Sequence, residues 1–383
     1  MNGKRIKNTH LIRDRIIAYL IDIVGEKDRS FSEKMVYSFL VLLSKIYGLI
    51  IKIRLKFFKW GFLKNKTLGC LVISVGNITT GGTGKTPIVQ VFAKALSMEG
   101  RKVAILTRGY RRKSSKNKNS IIVVNGKDPK IDPYEVGDEA FLLARNLGDI
   151  PVVVGKDRLA TGEYAINKLG ADTLILDDGY QYLSLSKRVN IVCVDANNPF
   201  GNGNLIPAGY LREPLASLKR ANLFFLTKVM TKTNGNIKKI SDNIRIYNKD
   251  ASIVETTYVP KSFVGIENGK PEPLESIQGK KIIALSAIAA PQGFEELLIQ
   301  CGAKLEKTYR FPDHHYFSED ELMEINKKCK EVQASMIIMT EKDSVKIPKG
   351  FKFKNKAFFL KVDVTIIKGA ESFTDCISRL CFK

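Results

Sequence analysis

The sequence has little histidine, one tryptophan and no paired-cysteine motif. Three histidines occur in 383 residues, and none of the six cysteines has the C-x-x-C spacing of a zinc or redox site. We therefore predict a reduced, cytosolic environment and no zinc centre. The N-terminus also lacks the charged start, apolar run and small-residue cleavage site of a secretory signal.

Acidic residues are scarce relative to basic ones. There are 62 Lys and Arg against 39 Asp and Glu, which gives a formal net charge of +23. Such an excess favours an acidic partner: a nucleic acid, an anionic membrane surface or a phosphorylated substrate. Because no nucleic-acid recognition motif accompanies the charge, we expect no nucleic acid, and no protein partner is predicted.

One hydrophobic run, residues 35–51, is barely long enough to cross a bilayer, and Lys45 interrupts it. Basic and aromatic residues follow at once, over positions 52–64. This pattern is typical of a helix held in or on the membrane, and a buried core helix is the alternative. We predict a peripheral or monotopic segment at the cytoplasmic face, where anionic lipid attracts the basic flank.

A glycine-rich loop lies between an apolar run and an amphipathic stretch. Residues 79–86 read TTGGTGKT, close to the G-x-x-x-x-G-K-[ST] pattern of a phosphate-binding loop, although Thr79 replaces its first glycine. In such a loop backbone N–H groups face phosphate oxygens, Lys85 reaches the β- and γ-phosphates, and the Thr86 hydroxyl binds Mg²⁺. The predicted phosphate contacts are Thr79, Thr80, Gly81, Gly82, Thr83, Gly84, Lys85 and Thr86.

From residue 70 onward, apolar runs alternate with helical patterns, which is typical of a doubly wound, mostly parallel α/β sheet. The predicted strands are 71–75, 102–106, 121–124, 151–155, 173–178, 190–195, 223–228, 253–260, 281–288, 336–340 and 357–364. The predicted helices are 86–98, 138–147, 157–169, 293–301, 319–332 and 369–380. Ligands bind at the carboxyl ends of strands in such sheets, so the chemistry is expected there.

A polar stretch at residues 232–240 predicts a domain boundary. We therefore expect three parts. Residues 1–65 form the membrane-associated helical segment, residues 66–235 form the P-loop core domain, and residues 236–383 form a second, smaller α/β domain that contributes to the active-site cleft.

Carboxylates and a histidine pair supply candidate chemistry. Asp177 and Asp178 close a predicted strand and suit Mg²⁺, directly or through water. Asp138 is either the N-cap of the helix that follows or a general base that accepts a hydroxyl proton during phosphoryl transfer. His314 lies in an adjacent pair, for which a catalytic or substrate-orienting role is favoured over metal ligation.

A Gly/Pro-rich loop carries Arg212 and Glu213, which either hold substrate or metal or form a surface ion pair. The class of the phosphate loop follows from two missing motifs. Regulatory GTPases need N-K-x-D, whereas residues 226–229 read LTKV. Deviant ATPases carry a lysine where Thr80 stands. Both omissions favour a small-molecule kinase.

Seven motifs occur in a recognisable order: GNITTGGTGKTP (76–87), TRGY (107–110), VGDE (136–139), LDDGYQY (176–182), PAGYLREP (207–214), FPDHHYF (311–317) and TEKD (340–343). From about residue 40 to the end, the chain resembles the tetraacyldisaccharide 4′-kinase (lipid A 4′-kinase) family. The resemblance implies ATP-dependent phosphorylation of the 4′-hydroxyl of tetraacyldisaccharide 1-phosphate, a lipid A disaccharide precursor, to give lipid IVA at the cytoplasmic face of the bacterial inner membrane. A kinase of a soluble metabolite and a nucleotide-gated membrane adaptor are the alternatives.

The resemblance also implies roles for individual residues. Asp138 is implied as the base and His314 as its partner. Phosphate and Mg²⁺ are assigned to Lys85 and Thr86. Metal or water-network partners are implied at Asp177, Asp178 and Glu213. Weaker, substrate-site candidates are Arg108, Arg158, Gln181 and Arg212.

The chain departs from the family pattern in two places. Tyr180 and Tyr182 stand where the family usually has Phe and His, so a family role for the side chain at 182 is in doubt. An insertion-like stretch at 113–120 also lengthens the segment before Asp138.

Overall fold

The structure, a computed structural model, describes residues 19–20, 22–26, 28–110, 112, 120–125, 131–230 and 234–381. Most of the insertion-like stretch lies outside the described residues. The chain divides into two compact units: the first is Met1–Lys64, Ile78–Gly81 and Asn198–Arg220, and the second is Asn65–Asn77, Gly82–Asn197 and Ala221–Lys383.

The second unit is built on one sheet of 13 strands among the described residues. They are β1 (Leu71–Gly76), β2 (Val103–Thr107), β3 (Ile122–Val124), β4 (Val152–Val154), β5 (Thr173–Asp177), β6 (Val189–Asp195), β7 (Leu223–Thr227), β8 (Ser252–Gly265), β9 (Pro271–Glu272), β10 (Lys281–Ser286), β11 (Lys304–Arg310), β12 (Met336–Thr340) and β13 (Lys356–Lys368). Their order is β11-β10-β12-β13-β8-β7-β6-β1-β5-β2-β4-β3, and β9 pairs with β8. Three pairs are antiparallel, β8 with β13, β3 with β4 and β8 with β9, so the predicted mostly parallel sheet is confirmed.

Continuous apolar runs produce the central strands, because helices cover both faces of a parallel sheet. β2, β5 and β7 are buried along their whole length. β11 has a different sequence, KLEKTYR, and is mostly exposed or half-buried. Among the described strands it pairs with β10 alone, at the edge of the sheet, and an edge strand needs no continuous apolar run.

The helices are α1 (Phe31–Lys59), α2 (Lys85–Met98), α3 (Pro133–Val136), α4 (Asp138–Leu147), α5 (Arg158–Leu169), α6 (Asn234–Tyr247), α7 (Pro291–Gln300), α8 (Glu319–Glu331), α9 (Glu341–Ser344) and α10 (Ala370–Cys381). All the helices predicted after residue 85 are present with nearly the expected bounds. α6 was not predicted. It begins within the polar stretch at 232–240, where a boundary was expected.

The C-terminal helix α10 packs on the N-terminal part of the sheet. The Phe373 ring lies edge-on to Phe92, with centroids 5.1 Å apart, and to Phe225 at 6.2 Å. A separate apolar cluster surrounds Phe263 on β8. The sheet itself continues across residue 235 through the parallel pairing of β7 with β8. The division into two domains at that residue stays a prediction.

In the first unit, α1 begins with a capping box. Ser30 Oγ accepts from Glu33 N, and the Glu33 carboxylate accepts from Ser30 N. The box satisfies backbone donors that the first turn leaves unpaired. Among the described residues, this 29-residue helix is the one that is long and apolar enough to cross a membrane.

One narrow side of α1 is buried in the first unit, at Leu40, Ser44 and Gly48. Ser44 Oγ donates to Leu205 O at 2.8 Å, and the Tyr47 hydroxyl donates to the carbonyl of Arg212 at 2.8 Å. Large apolar side chains stay exposed along the remainder: Phe31, Met35, Phe39, Leu42, Ile46, Leu49, Ile50, Ile53 and Phe57. An ordinary core helix would bury such side chains, so the structure favours an apolar environment outside the protein for this face.

Candidate active site

The end of the phosphate loop is fixed by close packing in the second unit. Gly84 has φ of 76° and caps α2, whose first residue is Lys85. A Cβ at position 84 would lie 2.5 Å from the Tyr258 hydroxyl, so glycine is required by both backbone and space. The first turn of α2 then leaves backbone N–H groups directed at the loop, where they can bind phosphate.

Side chains from neighbouring strands brace the same loop. Asn77 Nδ2 donates to Thr83 Oγ1 at 2.9 Å, and Thr227 Oγ1 donates to Thr83 O at 2.9 Å. Lys228 Nζ donates to Gly82 O and to Asp195 Oδ2, each at 2.6 Å. Lys228 stands in the segment that fails the guanine motif, and here its ammonium group supports the phosphate loop.

The beginning of the loop belongs to the first unit. Thr79 is buried and forms an isolated antiparallel bridge with Leu211. Thr80 N donates to Tyr210 O at 2.7 Å, and Arg212 N donates to Ile78 O at 2.7 Å. The PAGYLREP motif therefore pairs, through its backbone, with the first residues of the phosphate loop.

Glu213, in the same motif, is buried and forms an ion pair with Arg220. The predicted alternative, a surface ion pair, is therefore wrong: Glu213 does form an ion pair, but its carboxylate is almost fully removed from solvent. Its role as a metal ligand stays a prediction.

Asp177 and Asp178 lie at the carboxyl end of β5, which pairs with β1. The Asp178 carboxylate is 3.6 Å from Lys85 Nζ, and its backbone has a left-handed φ of 54°. Asp177 is buried. Burial, together with the charges of Glu139 and Asp178, raises the pKa of Asp177 above its ordinary value, although Lys85 and Arg158 oppose the rise.

Asp177 Oδ1 is a buried oxygen without a hydrogen-bond partner among the described residues. Such an oxygen beside a phosphate loop fits Mg²⁺, which commonly takes one or two protein carboxylates and completes its shell with water and phosphate oxygens. The part of the chain that the structure describes holds no cluster of three or more His, Cys, Asp or Glu suited to a metal. A cation here would therefore depend on the nucleotide for some of its ligands.

Asp138 is the first residue of α4, and Gly137, with φ of 95°, is its N-cap, so the alternative of Asp138 as the N-cap is wrong. The buried carboxylate of Asp138 makes two hydrogen bonds. Oδ1 accepts from Glu139 N at 2.9 Å, and Oδ2 lies 2.8 Å from His314 Nδ1. The structure thus joins two residues that are far apart in sequence, as the resemblance implied.

The electrostatic surroundings of Asp138 favour its ionised form. Burial raises the pKa of Asp138, but the hydrogen bond with His314 and the charges of Lys342 and Lys346 outweigh burial and lower it. The carboxylate is therefore ionised at neutral pH and able to accept a proton. His314 reaches it from a left-handed backbone conformation, φ 62°, which is uncommon for a residue with a side chain and often marks functional sites.

Two lysines near Asp138 were not assigned by sequence reasoning. Lys342 Nζ lies 3.2 Å from Asp313 Oδ1 and 3.3 Å from Glu139 Oε1. Lys346 is fully buried, and its Nζ is 2.8 Å from Asp343 Oδ1 and 3.8 Å from Asp138 Oδ2. Lys342 lies in the TEKD motif, which contributed only to the family resemblance. That motif was the one feature of the sequence that could have indicated a role for this lysine.

The weaker site candidates occupy different surroundings. Arg158 is buried and donates to Gly155 O at 2.6 Å and to Asp177 O at 3.4 Å, so it supports the backbone at the end of β5. Burial lowers its pKa to about 10. Gln181 Nε2 donates to the carbonyl of Asn77 at 2.8 Å. Arg108 is exposed just after β2. Their roles toward substrate, like that of Arg212, stay predictions.

The comparison with known sequences decides the family. A profile of the tetraacyldisaccharide-1-P 4′-kinase family matches residues 36–381. The chain belongs to this family. The tetraacyldisaccharide 4′-kinase of Halothermothrix orenii is 36% identical over 382 residues, covering 96% of this chain and 99% of that one. The enzyme of the same description from Elusimicrobium minutum is 37% identical over 356 residues, covering 91% and 93%.

A solved structure gives the same result. LpxK from Aquifex aeolicus, in complex with ATP, matches this 4′-kinase family member with a TM-score of 0.72 at 28% identity, over 91% of this chain and 100% of that one. The family resemblance and the fold class predicted from sequence are confirmed, and the chain is a kinase of lipid A biosynthesis. A soluble-metabolite kinase and a membrane adaptor are both disfavoured by these matches.

Proposed function

We propose that this kinase transfers the γ-phosphate of ATP to the 4′-hydroxyl of tetraacyldisaccharide 1-phosphate. The observation that supports the proposal most strongly is the buried Asp138 carboxylate, 2.8 Å from His314 and in the same compact unit as Lys85 and Asp178. Phosphoryl transfer needs positioning, charge stabilisation and a group that accepts the hydroxyl proton. Asp138 is that base, and His314 orients it.

ATP is the proposed phosphate donor because the Aquifex aeolicus relative is in complex with ATP and the loop at residues 79–86 has the matching chemistry. The N–H groups at the start of α2 bind phosphate oxygens, and Lys85 neutralises charge on the β- and γ-phosphates. Lys85 rests near Asp178, 3.6 Å away, so its ammonium already lies among the groups that would surround the triphosphate.

Mg²⁺ is the proposed metal, held by Thr86, Asp177 and Asp178 of the second unit; for Glu213, in the first unit, a metal role rests on the family resemblance alone. The unpartnered Asp177 Oδ1 supports this assignment. When bound, the ion supplies positive charge to the phosphate oxygens that gain charge during transfer. The same carboxylates would otherwise repel the triphosphate.

The acyl chains of the acceptor give a reason for α1. Its exposed apolar side chains, followed by basic residues, are suited to lie in an anionic membrane surface, with Trp60 and Phe62 near the headgroups. We propose a peripheral or monotopic location at the cytoplasmic face of the inner membrane, where ATP and the lipid acceptor are both available.

An assay with purified full-length protein in detergent tests the function. It contains labelled ATP, Mg²⁺ and tetraacyldisaccharide 1-phosphate, and the product is identified by mass. We expect one phosphate added to the lipid disaccharide and no label on soluble sugars or nucleosides. Transfer to soluble acceptors alone would support a metabolite kinase. ATP-dependent vesicle binding without transfer to any lipid would support an adaptor.

A further inference from the structure

Lys342, in helix α9, is a cation at the candidate site that the proposed chemistry does not yet use. Its Nζ has three acceptors at hydrogen-bond distance: Asp313 Oδ1 at 3.2 Å, His314 Nε2 at 3.2 Å and Glu139 Oε1 at 3.3 Å. An ammonium group has three donors and no acceptor capacity. One donor is therefore available for each of the three contacts, including the histidine ring.

The contact with the ring determines where its proton lies. Because Lys342 can only donate, His314 Nε2 must accept, and an accepting ring nitrogen carries no proton. In the neutral imidazole the proton is then on Nδ1, from which it is donated to Asp138 Oδ2 at 2.8 Å. We propose that Lys342 is a positioning residue that holds His314 in the Nδ1–H tautomer. The consequence for catalysis rests on the proposed function, in which Asp138 is the base.

The charges around His314 show why a cation is useful at this position. The ring faces the carboxylates of Asp138 and Glu139 from α4 and that of Asp313 from its own loop. Nε2 lies 3.8 Å from Glu139 Oε1 and 3.7 Å from Asp313 Oδ2. Tyr110 packs edge-on against the ring at 5.3 Å. Lys342 Nζ lies within hydrogen-bond distance of Glu139 and Asp313, the two carboxylates nearest to Nε2, and so places a positive charge among them.

Both partners are anchored to one backbone unit. His314 N donates to Ala287 O at 3.3 Å, and the buried Lys346 Nζ donates to the same carbonyl at 3.0 Å. Ala287 N donates to Asp343 Oδ2 at 3.0 Å. Asp343 is the neighbour of Lys342 in α9, so the histidine loop and the lysine are held against the same residue. The backbones that carry His314 and Lys342 are thus tied to one residue, which favours the 3.2 Å contact between their side chains.

The tautomer restricts the path of the proton. During transfer the acceptor O–H bond breaks and the new O–P bond forms, while the bond between the γ-phosphorus and the β,γ-bridging oxygen breaks and ADP leaves. The proton goes to the Asp138 carboxylate. His314 cannot take that proton on Nδ1, which is already protonated, and Lys342 occupies Nε2. The proton therefore stays on Asp138 until product leaves, and His314 orients the carboxylate without relaying the proton.

Nitrogen NMR of the whole protein, labelled at histidine, tests the proposal directly. The chain has only three histidines, so His315→Gln simplifies the assignment of His314. We expect a protonated Nδ1 and an unprotonated Nε2 in the wild type. Lys342→Met should give the other tautomer, a mixture or the doubly protonated ring, whereas Lys342→Arg, which still donates, should keep the wild-type pattern. Lys261→Met, which removes an exposed ion pair with Asp363, is the matched control and should change nothing.

Kinetics with the lipid acceptor supply the second measurement. We expect Lys342→Met to lower kcat by about 10-fold or more with little change in KM for ATP, and Lys342→Arg to recover most of the loss. A wild-type His314 with its proton on Nε2, or a folded Lys342→Met variant with the wild-type spectrum, would overturn the proposal. If Lys342→Met does not fold, the wild-type and Lys342→Arg spectra still decide. Wild-type protein without phosphotransfer would refute the proposed function alone, since the tautomer is read without turnover.

Discussion

At the scale of single residues, the site holds two buried aspartates whose surroundings act in opposite directions. Burial tends to raise the pKa of both. Hydrogen bonding with His314 and two nearby lysines lowers the pKa of Asp138, whereas Glu139 and Asp178 add to the rise for Asp177. The surroundings of Asp138 thus keep its carboxylate ionised, whereas the surroundings of Asp177 favour a bound proton or cation. Opposed environments of this kind often separate the roles of paired acids in enzymes.

This difference predicts a coupling between pH and Mg²⁺. The pKa of Asp177 is raised, so a proton competes with Mg²⁺ for its carboxylate as pH falls. Raising the Mg²⁺ concentration should move the acid limb of kcat/KM to lower pH, which initial rates at several Mg²⁺ concentrations would measure. Asp138 should not cause that limb, because its pKa is lowered. An acid limb that stays fixed at all Mg²⁺ concentrations would contradict the assignment of Asp177.

Gly84 offers a second test at this scale. Gly84→Ala would place a methyl group 2.5 Å from the Tyr258 hydroxyl and distort the loop, so ATP should no longer stabilise the protein. A ligand at 100 times its Kd adds about 2.7 kcal/mol of stability, a shift that thermal unfolding with and without ATP detects. Gly100→Ala is the control, because φ there is 81° but no atom lies within 4 Å of the added Cβ. Equal loss of ATP stabilisation in both variants would mean that the close approach at Gly84 is irrelevant.

At the scale of elements, the short helix α9 and the segment just beyond its end carry the side chains that contact His314 and Ala287. Lys346, just beyond its end, is fully buried and bonded to Asp343, which is also fully buried. Lys346→Met leaves that buried carboxylate without its cationic partner, and breaking a buried ion pair in this way typically costs about 3–5 kcal/mol. We therefore expect a loss of about that size in the free energy of unfolding in urea. Lys327→Met, on the exposed face of α8, should cost almost nothing.

The proposed membrane contact of helix α1 can be tested by changing the apolar side chains on its exposed face. Replacing Phe39, Ile46 and Ile53 together by Ser should weaken binding to vesicles that contain anionic lipid, because the buried apolar area falls. Sedimentation with vesicles measures the effect. The exposed Met98 at the end of α2 gives a matched control, Met98→Ser, which should bind normally. Equal binding by the triple variant would place membrane contact elsewhere.

The elements also show what the sequence could predict. β5 and β7 were predicted because each is a short, unbroken apolar run in a chain where strands and helices alternate, and such a run is best explained by a buried strand. β11 was not predicted because an edge strand needs no apolar run. α6 was not predicted because its polar first residues resemble a linker. The Asp138 and His314 pair was predicted from a resemblance, not from spacing.

The contacts of Lys342 and Lys346 could not be predicted from the sequence. Nothing local in TEKD indicates that its lysine faces a histidine ring, since that contact depends on how β12, α9 and the histidine loop pack. Asp138, likewise, is brought to them from α4 by the fold. Contacts between distant segments are set by the whole arrangement of the sheet and lie beyond local pattern.

At the scale of the whole molecule, the chain carries an apolar helix with exposed large side chains in the first unit and a 13-stranded sheet in the second. The net charge of +23 agrees with an acidic partner, such as an anionic membrane surface or a phosphorylated substrate. The predicted division of the chain at residue 235 does not separate all of the packing. Phe373, in the last helix, packs on Phe92, so this helix contributes to the core of the segment 66–235.

The central claim is that Asp138 accepts the hydroxyl proton when phosphate passes to the lipid disaccharide. The most direct measurement is kcat for formation of phosphorylated lipid, read by mass, in the wild type, in Asp138→Asn and in the control Asp363→Asn, whose exposed carboxylate pairs with Lys261. We predict a loss of about 10²–10⁴-fold for Asp138→Asn, with ATP binding retained and the control unchanged. Wild-type turnover by a folded Asp138→Asn variant would contradict the account.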